Sequence, residues 1–320
     1  MLTLVLGSYV QANCLQVPDL PAAGQSLLAA GYWSEHGGKG LNVGVALHAL
    51  AAETALLLPV GDDNGGRQIS AELSQMGLDT RWVIVCAAQS GYGVGLIDAR
   101  GDNVIAVFPG ANAHLTPAMV CDALDRSRPR RVYAQLEIPL ESVLAAFSAA
   151  RRLGSYTVLN PSPWRPITSE LLALTDTMIV NAAEAATLFA DNGARLTLSA
   201  ERWLELLPEM ADTIAWQGDW LIVTLGDQGC VALGRQEVIH VGAWPVEVRD
   251  ATGAGDAFSA GWLWAQDRYP PEHALLAANA CGAFIAERDG VLAHLPDNAA
   301  LTAFMASRPA PGIRRISRAF

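Results

Sequence analysis

The chain has 320 residues, 51% hydrophobic and 17% charged, enough to bury a sizeable core and to exclude a disordered chain. Its formal net charge of −11 excludes the broad basic surface that non-specific nucleic-acid binding needs. The five cysteines, Cys14, Cys86, Cys121, Cys230 and Cys281, are odd in number, far apart and without a CxxC pair, so free thiols in a reducing compartment are expected rather than a disulfide framework or zinc site.

The opening MLTLVLGSYVQAN has no basic n-region, and no 18-residue apolar run follows anywhere. No signal peptide or membrane span is expected, and the chain is placed in the cytoplasm. LTLVLGS reads as a buried strand ending at Gly7. LNVGVALHAL sets Val43, Leu47 and Leu50 on one helix face. TALLLPVGDDNGG is strand then turn, and GRQISAELSQMG a helix ending near Gly77. Strand and helix alternate again in RVYAQLE with PLESVLAAFSAARRLG, then in YTVLNPSPW, TMIVNAAEAATLFA and DWLIVTLGDQG. Two helical stretches, GDAFSAGWLWAQ and PEHALLAANACGAFIAE, dominate the last third.

This alternation predicts a doubly wound α/β/α domain with a mostly parallel sheet, whose strand-to-helix turns line up at one edge where ligands bind. Residues 9–36 and 82–109 break the rhythm with alternating strands, the second with RGDN as a hairpin turn. They are expected to form a small β lid over that edge. The tail RPAPGIRRISRAF, with Arg308, Arg314, Arg315 and Arg318, reads as a solvated tail or a docking strand.

Two glycine turns carry the chemistry. In VRDATGAGDAFSAGW, the glycines at 253 and 255 let backbone N–H groups converge where a helix begins, a cradle for an anion. Asp256 lies in the first turn of that helix; held ionised by the helix dipole, it can take a proton from a hydroxyl, which is what phosphoryl transfer to an alcohol needs. A helix cap with a plain turn reads the same residues without chemistry. A dinucleotide fingerprint fits poorly, since Phe258 stands at the third glycine, and a GxxxxGK[ST] loop is absent. The second turn, EHGGKGLNVGVAL, holds Lys39 inside it and Asn42 one turn on; alone it is an ordinary helix entry. The six histidines show no metal-ligand spacing.

Together, GGKGLNVGVAL and DATGAGDAFSAG resemble the two signatures of the ribokinase-like (PfkB-type) carbohydrate kinases, with AQLEIPLESVLAA, LNPSPW, VNAAEAA and VTLGDQG in order between them. The likeness is greatest to the family's ribokinase branch. It implies an ATP-dependent kinase that transfers the γ-phosphate to a sugar hydroxyl. It makes Asp256 the base and Gly253, Ala254 and Gly255 the anion hole. Gly37, Gly38, Lys39, Asn42 and Glu137 would contact the sugar. Asn181, Glu184, Thr224, Gly226, Gly229 and Asn279 would serve the nucleotide, with Glu184 placing Mg²⁺ through water. Asp250, with main-chain oxygens near Thr252, Arg288 and Gly290, would form a K⁺ site. Lid pairing in the family implies a homodimer.

Two departures bear on the substrate. The family pattern G-S-x-N-x-D reads here GSYVQAN, so Val10 and Ala12 replace side chains that grip sugar hydroxyls, and Asn13 is expected on the opposite face of its strand. D-ribose itself is therefore in doubt. His294 stands at the position of a Ser that assists the K⁺ site, so K⁺ activation follows less firmly than kinase activity. The rivals are a nucleoside or sugar-phosphate kinase of the same family, the latter weakened by a lid with only Lys39, Arg81 and Arg100 nearby, and a non-catalytic sugar or nucleotide sensor.

Overall fold

The computed structural model describes residues 1–98, 100, 103–189 and 198–317. Strand β1 (Thr3–Leu6) leads into β2 (Val10–Gln16) and β3 (Gly31–Gly37), then α1 (Lys39–Ala49), β4 (Thr54–Gly61), α2 (Asn64–Gln75) and β5 (Val83–Ala87). The hairpin strands β6 (Gly91–Ile97) and β7 (Asn103–Phe108) precede α3 (Pro117–Ser127), β8 (Arg131–Gln135), α4 (Leu140–Leu153), β9 (Tyr156–Asn160) and α5 (Ser169–Ala173). Next come β10 (Thr177–Asn181), α6 (Ala182–Phe189), α7 (Ala200–Thr213), β11 (Trp220–Thr224), β12 (Cys230–Leu233) and β13 (Glu237–Val241). Helices α8 (Ala254–Ala265), α9 (Pro271–Ala286) and α10 (Asn298–Ala306) and strand β14 (Ile313–Ser317) complete the described chain.

The large sheet runs β14-β13-β12-β11-β10-β9-β8-β1-β4-β5. From β11 to β5 neighbouring strands pair in parallel; β12, β13 and β14 add an antiparallel edge. The parallel strands are near-continuous apolar runs because helices cover both faces. On one face Val5, Leu56, Tyr133, Ile179 and Ile222 pack with α1, α2, α8, α9 and α10. On the other, Leu4, Leu57, Val132, Met178 and Val223 pack with α3, α4 and α7. Successive strand residues thus alternate between two cores, as the pleat requires.

The chain winds outward from β1 in two directions, through β4 and β5 on one side and through β8 to β11 on the other. The order reverses between β1 and β8, and such a switch point leaves a crevice at the carboxyl ends of the strands.

Strands β2, β3, β6 and β7 form a second sheet in the order β3-β2-β6-β7. Residues 82–109, read as one lid segment, divide: β5 pairs with β4 at the edge of the large sheet, and only β6 and β7 join the small one. Between β2 and β3 the segment is a loop without strand, for which prolines at 18 and 21 are the local reason. The RGDN turn lies partly outside the described residues. The basic tail is a docking strand rather than a solvated one: β14 pairs with β13, Arg314 meets Glu201, and Arg315 meets Glu237 and Glu272. Arg318 lies outside the described residues.

Candidate active site

At the switch point, Ser8 follows β1 and Glu137 follows β8. Ser8 Oγ donates to Glu137 Oε2 at 2.6 Å and accepts the Gly40 N–H at 3.2 Å, while the Lys39 N–H donates to the same Glu137 oxygen at 2.9 Å. One hydroxyl and one carboxylate therefore lock the start of α1 onto the sheet. Gly38 precedes α1 at φ +120°, a conformation that favours glycine, and a Cβ there would collide with the Ser8 carbonyl. The glycine is required here by close approach of the chain to itself. Ser8 was not singled out from the sequence, and its signal was its place directly after the strand-ending Gly7.

Asn42, on the first turn of α1, points at the other signature. Its Nδ2 donates to Asp256 Oδ2 at 2.7 Å across 214 residues of chain, and both side chains are buried. Burial is the largest influence on Asp256 and pushes its pKa up from the ordinary 3.8 to about 6; the Lys39 ammonium and the Asn42 hydrogen bond pull it back, and Glu137 and Glu184 add to the rise. The sequence reading keeps this carboxylate ionised by the helix dipole; with its pKa at about 6 it is ionised at neutral pH, but burial makes it far more basic than an ordinary Asp. A carboxylate tuned near neutrality is a better proton acceptor than an ordinary one.

Asp256 sits in the first turn of α8, whose start is Gly253 at φ +75°. A Cβ on Gly253 would lie 2.6 Å from Val291 Cγ1, whereas a Cβ on Gly255 would meet nothing within 4 Å. The helix start is therefore braced on one side and open on the other. Among the described residues, the N–H groups of 253, 255 and 256 have no acceptor. Ala254 differs from the expected anion hole: its N–H closes a turn onto the Ala251 carbonyl at 3.2 Å. Unpaired N–H groups and the positive end of the helix dipole face the open side, the ordinary requirements of an anion site.

That open side is a cavity of about 1000 Å³. Lys39, Thr252, Gly253, Ala254, Gly255 and Asp256 line one end of it; Asn181, Glu184, Thr224, Gly226, Gly229 and Asn279 line the rest. Asn181 and Glu184 cap each other: the Glu184 N–H donates to Asn181 Oδ1 at 2.8 Å, and the Asn181 N–H to Glu184 Oε2 at 2.9 Å. This is the reciprocal arrangement of a capping box. It leaves Glu184 Oε1 and the Asn181 amide nitrogen for a ligand, a donor set that suits a hydrated divalent cation beside phosphates. Thr224 Oγ1 makes only a 3.4 Å contact to Val180 O. Asn279 Nδ2 donates to the carbonyls of Val241 and Gly242, both at 3.2 Å, and so staples α9 to β13 at the cavity wall.

Gly37, Gly38, Asn42, Glu137, Asp250, Arg288 and Gly290 are not in that wall. The 250–252 loop and the end of α9 are joined by the Asp250 N–H on Ala286 O, and Asp250 Oδ1 accepts the Thr252 N–H at 2.8 Å. Gly290 faces the small sheet, where Glu35 Oε2 lies 3.3 Å from where its Cβ would stand. Val10 and Ala12 share the β2 face that carries Glu35 opposite Ala12, and Asn13 is on the reverse face, accepting from Tyr32 Oη at 2.8 Å. Glu35 was passed over in the sequence because an acid in an alternating strand reads as solvated. His294 is exposed. Among the described residues no group of three or more His, Cys, Asp or Glu is placed to hold a metal.

The pfkB family carbohydrate kinase model matches residues 4–298. The chain belongs to that family. The kinase is 32% identical over 225 residues to the ribokinase of Staphylococcus aureus, covering 69% of this chain and 71% of that protein. It is 28% identical over 258 residues to the deoxyribokinase of Salmonella typhimurium, covering 79% and 82%. The solved ribokinase of Thermotoga maritima superposes with a TM-score of 0.82 at 25% identity, over 95% of this chain and 99% of that one. The protein is an ATP-dependent sugar kinase, a phosphotransferase with an alcohol group as acceptor.

Proposed function

We propose that this kinase phosphorylates a primary hydroxyl of a neutral sugar, with Asp256 as the base. One observation carries the reading: the buried carboxylate pushed up to about 6 stands at a helix start whose unpaired N–H groups open onto a large cavity. Asp256 takes the proton of the acceptor hydroxyl as its oxygen bonds to the γ-phosphorus. The bond from that phosphorus to the bridging oxygen breaks, and ADP leaves. The N–H groups of 253, 255 and 256 stabilise the charge on the transferring phosphoryl group, and Lys39 adds a positive charge at the same end. Asn42 holds Asp256 by its Oδ2. Ser8 and the Lys39 N–H orient Glu137 so that its other oxygen accepts from the sugar. Thr224, Gly226, Gly229 and Asn279 support the nucleotide at the far end.

Mg²⁺ bound to the nucleotide would neutralise phosphate charge, with Glu184 Oε1 accepting from its waters and the Asn181 amide N–H donating to a phosphate oxygen. K⁺ would bind between Asp250 and the main chain at 252, 288 and 290. The small sheet acts as the lid. Its outward face exposes Tyr92, Val94, Val104 and Phe108, which supports a homodimer formed lid to lid. The five free thiols fit a cytoplasmic setting, and among the described residues no helix is long and apolar enough to cross a membrane.

The apolar Val10 and Ala12 favour an acceptor with fewer hydroxyls than ribose, and a similar deoxyribokinase points to a pentose. ADP release from ATP and Mg²⁺ across D-ribose, 2-deoxy-D-ribose, hexoses, nucleosides and sugar phosphates, with and without K⁺, tests the reading. A neutral sugar should respond most strongly. ATP binding with no response from any acceptor would refute it.

A further inference from the structure

The register of the small sheet sorts its residues between two faces. Val10, Ala12 and Cys14 of β2 share one face with Gly37, Glu35 and Trp33 of β3, with Gly91, Gly93 and Gly95 of β6, and with Val107 and Ile105 of β7. Trp33, Ile105 and Val107 on this face are exposed, while Glu35 reaches the loop after α9. Glu35 Oε2 approaches Gly290 to 3.3 Å of a would-be Cβ, and the next residue, Val291, braces Gly253 at the anion cradle. The carboxylate of Glu35 therefore hangs from the lid on the acceptor side of the site.

Three properties make it unusual. Among the described residues it is the one carboxylate on that face, and its neighbours are small or apolar. It is half-buried, yet it makes no hydrogen bond or ion pair among the described residues. The charged group acting on it is another acid, Asp250. A half-buried carboxylate without donors is unfavourable until something supplies them. A carboxylate without a counter-charge also repels any anion that enters.

We propose that Glu35 determines acceptor specificity: it accepts hydrogen bonds from hydroxyls of a neutral, polyhydroxylated acceptor, and its charge excludes acceptors that carry a phosphate or carboxylate. The acid stands directly opposite Ala12 in the β2–β3 register, so the lid offers its polar contact from β3 where β2 offers none. The inference rests on the sugar-kinase reading of the Asp256 site and adds to it the residue that selects the acceptor.

The test compares wild type, Glu35→Ala and Glu35→Gln by ADP release, with D-ribose, 2-deoxy-D-ribose and D-fructose as neutral probes and fructose 6-phosphate as the anionic one. For the best neutral probe, Glu35→Ala should raise KM about 10- to 100-fold, with kcat and the KM for ATP within about threefold. Activity on fructose 6-phosphate relative to the neutral probe should rise about tenfold in both variants, because both lose the charge. Glu35→Gln keeps an accepting oxygen, so its KM should rise less than that of Glu35→Ala. A KM for Glu35→Ala within about twofold of wild type would overturn the inference while leaving the kinase reading intact. So would a joint fall of kcat and ATP affinity with a lowered Tm, which marks a structural role, or a wild-type preference for fructose 6-phosphate. Wild type that binds ATP but turns over no probe removes the kinase reading and the inference with it.

Discussion

Replacing Asp256 by Asn should abolish activity and stabilise the fold at the same time. Asp256 is 6% exposed, and burial raises its pKa from 3.8 to about 6. The folded form therefore binds this proton more tightly than the unfolded chain does. Stability falls as pH rises between 3.8 and about 6, and above that the ionised carboxylate costs up to about 3 kcal/mol. An amide at 256 has no charge to desolvate. It still accepts from Asn42 Nδ2. A gain of about 1–3 kcal/mol in a chain of this length raises Tm by about 2–5 °C. Loss of the proton acceptor should lower kcat about 10²- to 10⁴-fold. Thermal melts of wild type and Asp256→Asn from pH 4 to pH 8 check the energetics. The difference should be near zero at pH 4, grow through pH 5 and level off above pH 6. A variant less stable than wild type at pH 7.5, or a difference independent of pH, would refute the claim that desolvation sets this carboxylate.

The same carboxylate predicts the pH profile of the wild-type enzyme: kcat/KM should rise with pH to a plateau, with the acid limb centred near pH 6, and a limb near pH 4 would show an unperturbed base. Gly253→Ala places a Cβ 2.6 Å from Val291 Cγ1 at φ +75°; Tm should drop by the equivalent of about 1–3 kcal/mol and kcat should fall, both read in one preparation. Ser8→Ala leaves the buried Gly40 N–H without its acceptor and frees Glu137; the acceptor KM should rise about tenfold with the KM for ATP unchanged. Glu184→Gln keeps the oxygen that accepts the Asn181 N–H and removes the charge; the Mg²⁺ concentration for half-maximal rate should rise about tenfold, with Tm within about 1 °C of wild type.

The parallel core was legible because a strand buried on both faces is dominated by apolar and β-branched residues: LTLVL, YTVL and WLIVT, each with a single Thr, read as strands from hydropathy and β-propensity. Helix α8 was equally plain, since a glycine turn followed by an apolar run leaves few alternatives. The edges were harder. Residues 83–87, VIVCA, are a short apolar run directly ahead of the lid strands, and only the long-range pairing of β5 with β4 assigns them to the large sheet. Periodicity within a segment carries no information about its partner. The tail was ambiguous for the same reason: its arginines fit solvent or docking equally until Glu201, Glu237 and Glu272 are placed beside them.

The site shows the same division more sharply. Asn42 and Asp256 were each identified from local motifs, but the hydrogen bond between them, and the burial that moves the base toward neutrality, are properties of two helices meeting across 214 positions. A helix dipole is a local feature and suggests an ionised acid. Desolvation depends on everything packed around the helix, and here it is the larger influence. In the proposed mechanism the motif names the residue that takes the proton, while packing determines how readily it does so. Glu35 extends this logic to the acceptor. Nothing in YWSEHGG distinguishes it from a solvated acid; it gains meaning only when the lid register sets it opposite Ala12 and brings its carboxylate to Gly290. Residues that perform the chemistry lie in motifs because the backbone around them must take one shape. A residue that selects the substrate has only to reach the right place, and several strands can supply it. Acceptor preference should therefore shift with substitutions at 10, 12 and 35 together, while the pH profile set by Asp256 stays the same.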